Sequence, residues 1–175
     1  RQVDDIHHLV DEFSSFARMP SPTLKVININ KVISEYVNPM MSSFDKVLIE
    51  IDDVLDNALI MGDEKQIRQA CGNLIKNSYE NITSNNIENA RISIFFNIEN
   101  NYASILVNDN GTGIDKSMIS EITEPYFTTK VGGTGLGLAI TKKIIDDHNG
   151  TILIKSLKAS KGTSILLKFP LISKN

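Results

Sequence analysis

The chain has 175 residues, 41% of them hydrophobic, with a formal net charge of −3 and a pI near 5.6. That supports one good core, but offers no broad cationic face for nucleic-acid phosphates and no polybasic membrane tether, because lysines alternate with acids. The single cysteine, Cys71, excludes an internal disulfide and a cysteine-based zinc site, as suits a reducing compartment.

Val3, Ile6, Val10, Phe13 and Ala17 recur at helical spacing, with Leu9 and Phe16 widening the stripe. This predicts an amphipathic helix over 1–19 with a heptad-like seam. Pro20 and Pro22 stop it and make 20–23 a stiff linker. A lone helix cannot bury such a stripe against itself. It either packs on the domain that follows or is one half of a helical hairpin whose other half lies upstream. The chain starts in helical rhythm without a methionine, and reads as a piece of something longer. No hydrophobic run approaches the ~18 residues of a membrane-spanning helix, so no membrane contact is expected of this segment.

A compact domain begins at residue 24. Alternation predicts a strand over 24–29, and Asn30 is placed to cap a helix running to about Met41. A strand over 47–51 follows, then the longest helix, 63–83, with Asp63 as its N-cap. Strands at 91–98 and 102–108 are joined by the polar turn Glu99-Asn100-Asn101. A short helix near 115–122 precedes Pro125. The helix 136–148 ends at Asn149-Gly150, a C-cap pair, with His148 as a partner for the helix dipole. Strands 151–156 and 163–169 finish an α+β two-layer sandwich: a mixed sheet of about five strands with helices on one face.

Six of the ten glycines fall between Val107 and Leu138, in two clusters around Glu124-Pro-Tyr-Phe-Thr-Thr-Lys130. Glycine at this density costs backbone entropy and is useful where backbone must approach a ligand closely. Asp109 ends a strand just before Asn110-Gly111-Thr112-Gly113. A carboxylate there can accept from the exocyclic amine of adenine, whereas guanine would present it with another acceptor. Gly111 and Gly113 let the base lie close, and Ile114-Asp115 opens a helix where a hairpin would return a strand. Gly132-Gly133-Thr134-Gly135-Leu136-Gly137-Leu138 leads straight into a helix, whose N–H groups make a phosphate cradle. It lacks the Lys-Ser/Thr pair of a Walker loop and the spacing of a dinucleotide fingerprint. Lys130 is in reach of phosphate oxygens, and Pro125-Tyr126-Phe127 would anchor the loop's base by aromatic packing. On the helix 63–83, Gln69, Asn73, Asn77 and Glu80 form a polar stripe beside the apolar one of Ile67, Cys71, Leu74, Ser78 and Ile82. Amide oxygens there could ligate Mg2+, an ion that keeps waters and shares itself with substrate phosphates.

Together these segments resemble the catalytic ATP-binding domain of sensor histidine kinases, within the superfamily that also holds gyrase, Hsp90 and MutL. Asn73-Leu-Ile-Lys-Asn77 matches its N box, Asp109-Asn-Gly111-Thr-Gly113 its G1 box, and Pro125-Tyr126-Phe127 its F box. Gly133-Thr134-Gly135-Leu136-Gly137-Leu138 matches its G2 box, and Gly162-Thr163 the final-strand threonine. Residues 1–5 and 10–20 look like the second dimerisation helix of NtrY-type nitrogen-regulation kinases. The resemblance implies a Bergerat-type fold over 24–175 and an ATP site of Asn73, Asn77, Glu80, Asp109, Gly111, Gly113, Ile114, Phe127, Lys130, Gly133, Thr134, Gly135, Leu136, Gly137, Leu138 and Thr163. Mg2+ would be held at Asn77 with Asn73 adjacent. The implied partners are ATP or ADP, a response-regulator receiver domain, and a second copy paired through the hairpin. The implied location is cytoplasmic, in a parent anchored in the inner membrane.

Three features depart from the family. The phosphoacceptor motif is absent, and His7 and His8 are followed by Leu9-Val10 and lie off the seam, facing solvent. Glu80 stands where many relatives carry a basic residue, which shifts phosphate neutralisation onto Mg2+ and Lys130. Ser78 replaces the usual alanine, a change of little expected consequence. Members that hydrolyse ATP through water place a glutamate where this chain has Asn73, and an amide has no lone pair basic enough to activate water. Transfer to a histidine upstream is therefore expected over hydrolysis. The rival readings are a water-activating ATPase and a nucleotide-gated interaction module without catalysis.

Overall fold

A computed structural model describes residues 18–44, 46–130, 133–157 and 162–172. The helix expected over 1–19, with His7 and His8, lies outside the described residues except for its last two positions, as does Gly132.

The main sheet has five strands in the order β2-β4-β5-β7-β6, where β2 is Leu48–Ile51, β4 Arg91–Glu99, β5 Tyr102–Asp109, β6 Thr151–Ser156 and β7 Thr163–Pro170. β2 runs parallel to β4, and every other pairing is antiparallel. A separate two-stranded sheet joins β1 (Lys25–Asn28) to β3 (Leu59–Gly62). The helices are α1 (Ile29–Val37), α2 (Glu64–Ser84) and α3 (Gly137–Asp147).

Strand alternation sends one row of each strand toward the helices. Ile94, Val107 and Ile165 are register partners across three strands, and so are Phe96, Ile105 and Leu167. All six are buried, and they belong to the same core as Ile67, Cys71, Leu74, Ile75 and Ile82 of α2. Each large aliphatic side chain so buried contributes about 1.5–3 kcal/mol. A second, smaller cluster of Ala70, Leu136, Ile140 and Ile144 locks α3 onto α2, and Met19, just before the linker, packs against it.

The structure departs from the predicted elements in four places. Helix α1, expected to run to about Met41, ends at Val37 and gives way to a 3-10 helix, Asn38–Ser43, with Pro39 near its start. The cap of α1 is Asn28, whose side chain accepts from Lys31 N–H at 3.1 Å, while Asn30 is fully buried inside the helix. Ile29, the first helical residue, has no intrahelical acceptor for its N–H, which donates to Ala58 O at 3.0 Å. β3 was not predicted; its four residues are too short to show a period. The helix expected at 115–122 is a single 3-10 turn, Lys116–Met118, capped by Asp115.

Candidate functional site

Asp109 sits at the end of β5, only 7% exposed, beneath the second half of α2. Its Oδ1 accepts from the backbone N–H of Gly111 at 2.9 Å and of Thr163 at 3.1 Å, and its Oδ2 from the Ser78 hydroxyl at 3.0 Å. Three donors from three elements thus fix the carboxylate plane. A carboxylate offers about four lone-pair directions, so capacity remains on Oδ2 for one further donor. Gly162, at φ +135°, lets the start of β7 lie against the backbone of Asp109 and Asn110, where a Cβ would collide. Gly113, at φ +78°, keeps the following loop close to Ser156, whose hydroxyl accepts from Ile114 N–H at 3.1 Å. Thr163 therefore serves the carboxylate through its backbone N–H.

The glycine loop folds back on the segment before it. Tyr126 N–H donates to Gly135 O at 3.1 Å, and Gly135, at φ +68°, rests directly on the backbone of Tyr126 and Phe127. The shown contact is backbone against backbone, with Tyr126 53% exposed and Phe127 half-buried beside it. Leu136 is fully buried in the α2–α3 cluster, which explains an apolar residue between glycines. Leu138 packs on the main core from a half-buried position. Thr134 Oγ1 accepts from Leu136 N–H at 3.4 Å, closing the turn that starts α3.

The polar stripe of α2 faces this loop. Asn73 Nδ2 donates to Gly137 O at 3.0 Å, tying α2 to the N-terminus of α3. A Cβ on Gly137 would point between Asn73 and Asn77 at 3.7–4.0 Å, so glycine leaves that cradle open. Lys130 Nζ donates to Asn77 Oδ1 at 3.2 Å and to Glu80 Oε2 at 2.6 Å. A cation thus already sits on the amide oxygen expected to attract one. Gln69 belongs elsewhere, to a cleft of about 400 Å3 between α1 and α2 that shares only Asn73 with this constellation.

Residues 62–173 match the family described as histidine kinase-, DNA gyrase B- and HSP90-like ATPase. The chain belongs to that family. It is 33% identical over 171 residues to the putative sensor histidine kinase NtrY-like of Rickettsia conorii, covering 98% of this chain and 28% of the relative. With the nitrogen regulation protein NtrY of Azorhizobium caulinodans it shares 35% identity over 170 residues, 95% of this chain and 22% of the relative. The chain thus spans about a quarter of these curated relatives. The fold is that of histidine kinase ThkA, solved in complex with response regulator protein TrrA, at a TM-score of 0.78 and 21% identity over 98% of this chain and 48% of that one.

In this ATPase-family domain Asn73, Asn77, Glu80, Lys130 and Gly137 come together between α2 and the N-terminus of α3, and Asp109, Gly111 and Thr163 meet one another beside Ser78 of the same helix α2. Two participants escaped sequence reasoning. Ser78 shares Asp109 with the backbone, so its hydroxyl is no neutral replacement for alanine. Asn81 holds the loop after Asp109: its Oδ1 accepts from Thr112 N–H at 2.9 Å, and its Nδ2 donates to Thr112 Oγ1 at 3.1 Å. The available signal was position, since Ser78 and Asn81 lie one and four residues past Asn77. His148 also differs from expectation. Its ring is buried, with Nδ1 donating to Ile144 O at 2.7 Å and Nε2 accepting from Asp63 N–H at 2.9 Å. That arrangement needs the neutral ring, not a cation opposing the helix dipole.

Proposed function

We propose that this domain binds ATP with Mg2+ and, in the intact protein, delivers the γ-phosphoryl group to a histidine outside this chain, from which it passes to a response-regulator aspartate. The observation that carries this is the Asp109 carboxylate, held by three donors with one acceptor direction left, beside glycines that admit a flat base. Asp109 would select adenine, Gly113 and Ile114 line the base, and Gly133 to Leu138 enclose the phosphates at the start of α3. Thr163 and Ser78 keep Asp109 oriented.

Asn77, with Asn73 adjacent, would hold the magnesium. The Lys130 ammonium on Asn77 Oδ1 supports the fit, being a cation on the same oxygen. When bound, Mg2+ neutralises charge on the phosphates. With Asn73 where a general base would stand, catalysis is mainly positioning and charge stabilisation.

Residues 1–19 would form the second helix of a dimerisation hairpin, 20–23 its linker, and 24–175 the ATP-binding domain, with two copies pairing through the hairpin. ThkA, seen with a response regulator, supports the receiver domain as partner. No helix among the described residues is long and apolar enough to cross a membrane, so the proposed anchor of the cytoplasmic parent lies elsewhere.

Calorimetry with ATP and saturating magnesium tests the site. The wild-type domain should take up one nucleotide, and Asp109→Asn should lose at least about tenfold in affinity, since one charge-assisted hydrogen bond is replaced by a weaker contact. No uptake by the wild type, or an indifferent Asp109→Asn, overturns the proposal. The fragment alone should not label itself from γ-labelled ATP, whereas restoring the upstream helix should produce acid-labile phosphohistidine. Stable label on His7 or His8 would contradict the placement of the acceptor.

A further inference from the structure

The contact among Lys130, Glu80 and Asn77 raises a question of occupancy. Glu80 and Lys130 are each partly exposed, and an ordinary surface ion pair of that kind contributes little. This one is placed differently. At 2.6 Å it is short, and the same ammonium also occupies Asn77 Oδ1. The lysine is not free to wander: its backbone N–H donates to Thr128 Oγ1 at 3.1 Å and its carbonyl accepts from Gly133 N–H at 3.1 Å. Glu80 has a second cation, Lys76, only at 4.0 Å and on the more exposed side. Lys130 and a divalent ion therefore compete for one oxygen, and while two of the three ammonium donors are spent on α2 the Glu80 carboxylate neutralises the charge that phosphate would otherwise meet.

Resting on the nucleotide reading above, we propose that Glu80 is a specificity-determining residue that makes nucleotide binding depend on the metal. It does so by holding the Lys130 ammonium on the α2 acceptor pair, away from phosphate. Metal-free ATP meets a lysine already committed to a carboxylate. For Asn77 to ligate a divalent ion, Lys130 must leave Asn77 Oδ1. A divalent ion on Asn77 Oδ1 repels the ammonium beside it, and the triphosphate that comes with the ion offers that ammonium a more highly charged acceptor than Glu80. Glu80 thereby converts one lysine from a counter-ion of the protein into a counter-ion of the metal-loaded substrate. A basic residue at this position would instead attract ATP with or without metal.

The test measures the dissociation constant of ATP by calorimetry, in EDTA and in saturating magnesium, for wild type, Glu80→Gln, Lys130→Met and the double variant. Both residues are partly exposed, and matching thermal melts confirm that each variant folds. Glu80→Gln should bind metal-free ATP about fivefold more tightly or better, and so reduce the ratio between the two conditions by that factor. In the Lys130→Met background the same substitution should gain less than about twofold, because the lysine it would release is gone. An unchanged ratio in Glu80→Gln overturns the inference, and so does an equal gain with and without Lys130, which would mean simple charge repulsion. These outcomes leave the nucleotide site standing. Absence of wild-type binding in magnesium overturns the nucleotide reading itself, and this inference with it.

Discussion

Asp109 shows how little a motif needs to specify when its neighbours do the orienting. Its two oxygens are aimed by donors from α2, the following turn and β7, so the carboxylate is rigid although it lies at a strand end. Cys71 illustrates the opposite case, a reactive group made inert by placement. Burial on the core face of α2 pushes its thiol up to about 12. The folded protein should therefore resist iodoacetamide at pH 8, with modification appearing only in denaturant, as mass spectrometry would show. The thiol's folded value is raised, so its contribution is complete below the unfolded value near 9 and is lost as pH climbs toward 12. Denaturant midpoints of wild type should thus fall above pH 9 more steeply than those of Cys71→Ala.

Among the elements, α2 carries the most. One face builds the core, the next bears Asn73, Asn77 and Glu80, and its first turn fastens the linker. Asp63 Oδ1 accepts from Lys65 and Gln66 N–H, while Oδ2 accepts from Thr23 N–H at 2.8 Å. Gln66 Nε2 donates to Pro20 O at 2.9 Å, and Met19 rests on the cluster containing Leu136. The linker is thereby tied to the helix that bears the amides and to the buried residue of the glycine loop. Burial pushes the Asp63 carboxyl upward, but the N–H donors of Thr23, Gln66 and Lys65 outweigh that and hold its pKa below the ordinary value. Asp63→Ala should cost about 0.5–2 kcal/mol, the range for a lost N-cap, and lower the melting temperature by about 1–8 °C. Because the folded pKa is depressed, the wild-type advantage should be full above the unfolded value and shrink as acid titrates Asp63 through its folded one. An equal difference at neutral and strongly acidic pH would contradict this account.

At the scale of the molecule, the site joins the helical layer to the sheet: Asp109 and Thr163 come from strands, the amides and the glycine loop from helices. A ligand bridging them stabilises the whole fold by mass action. At ATP about a hundredfold above its dissociation constant, with magnesium, the gain is ~2.7 kcal/mol. For a domain of this size that corresponds to a melting shift of about 5–10 °C. Differential scanning fluorimetry should show that shift in wild type and a much smaller one in Asp109→Asn. GTP should produce little shift in either, because its oxygen would oppose the carboxylate.

The sequence by itself determined most of the elements. Periodicity located α2, and Asp63 marked its start. Asn100 and Asn101, both at positive φ, marked the β4–β5 turn, and glycine spacing marked both loops. Those features are local, set by backbone preference and by the repeat of apolar residues along one element. Only the tertiary structure decided the contacts. It paired β1 with the unpredicted β3, made Asn28 rather than Asn30 the cap, and gave Ser78 and Asn81 their partners 31 residues away. It also placed Lys130 on Glu80 across 50 residues of chain. No repeat or propensity encodes such pairs, because a hydrogen bond between distant residues depends on how two elements pack, and packing is a property of the whole core.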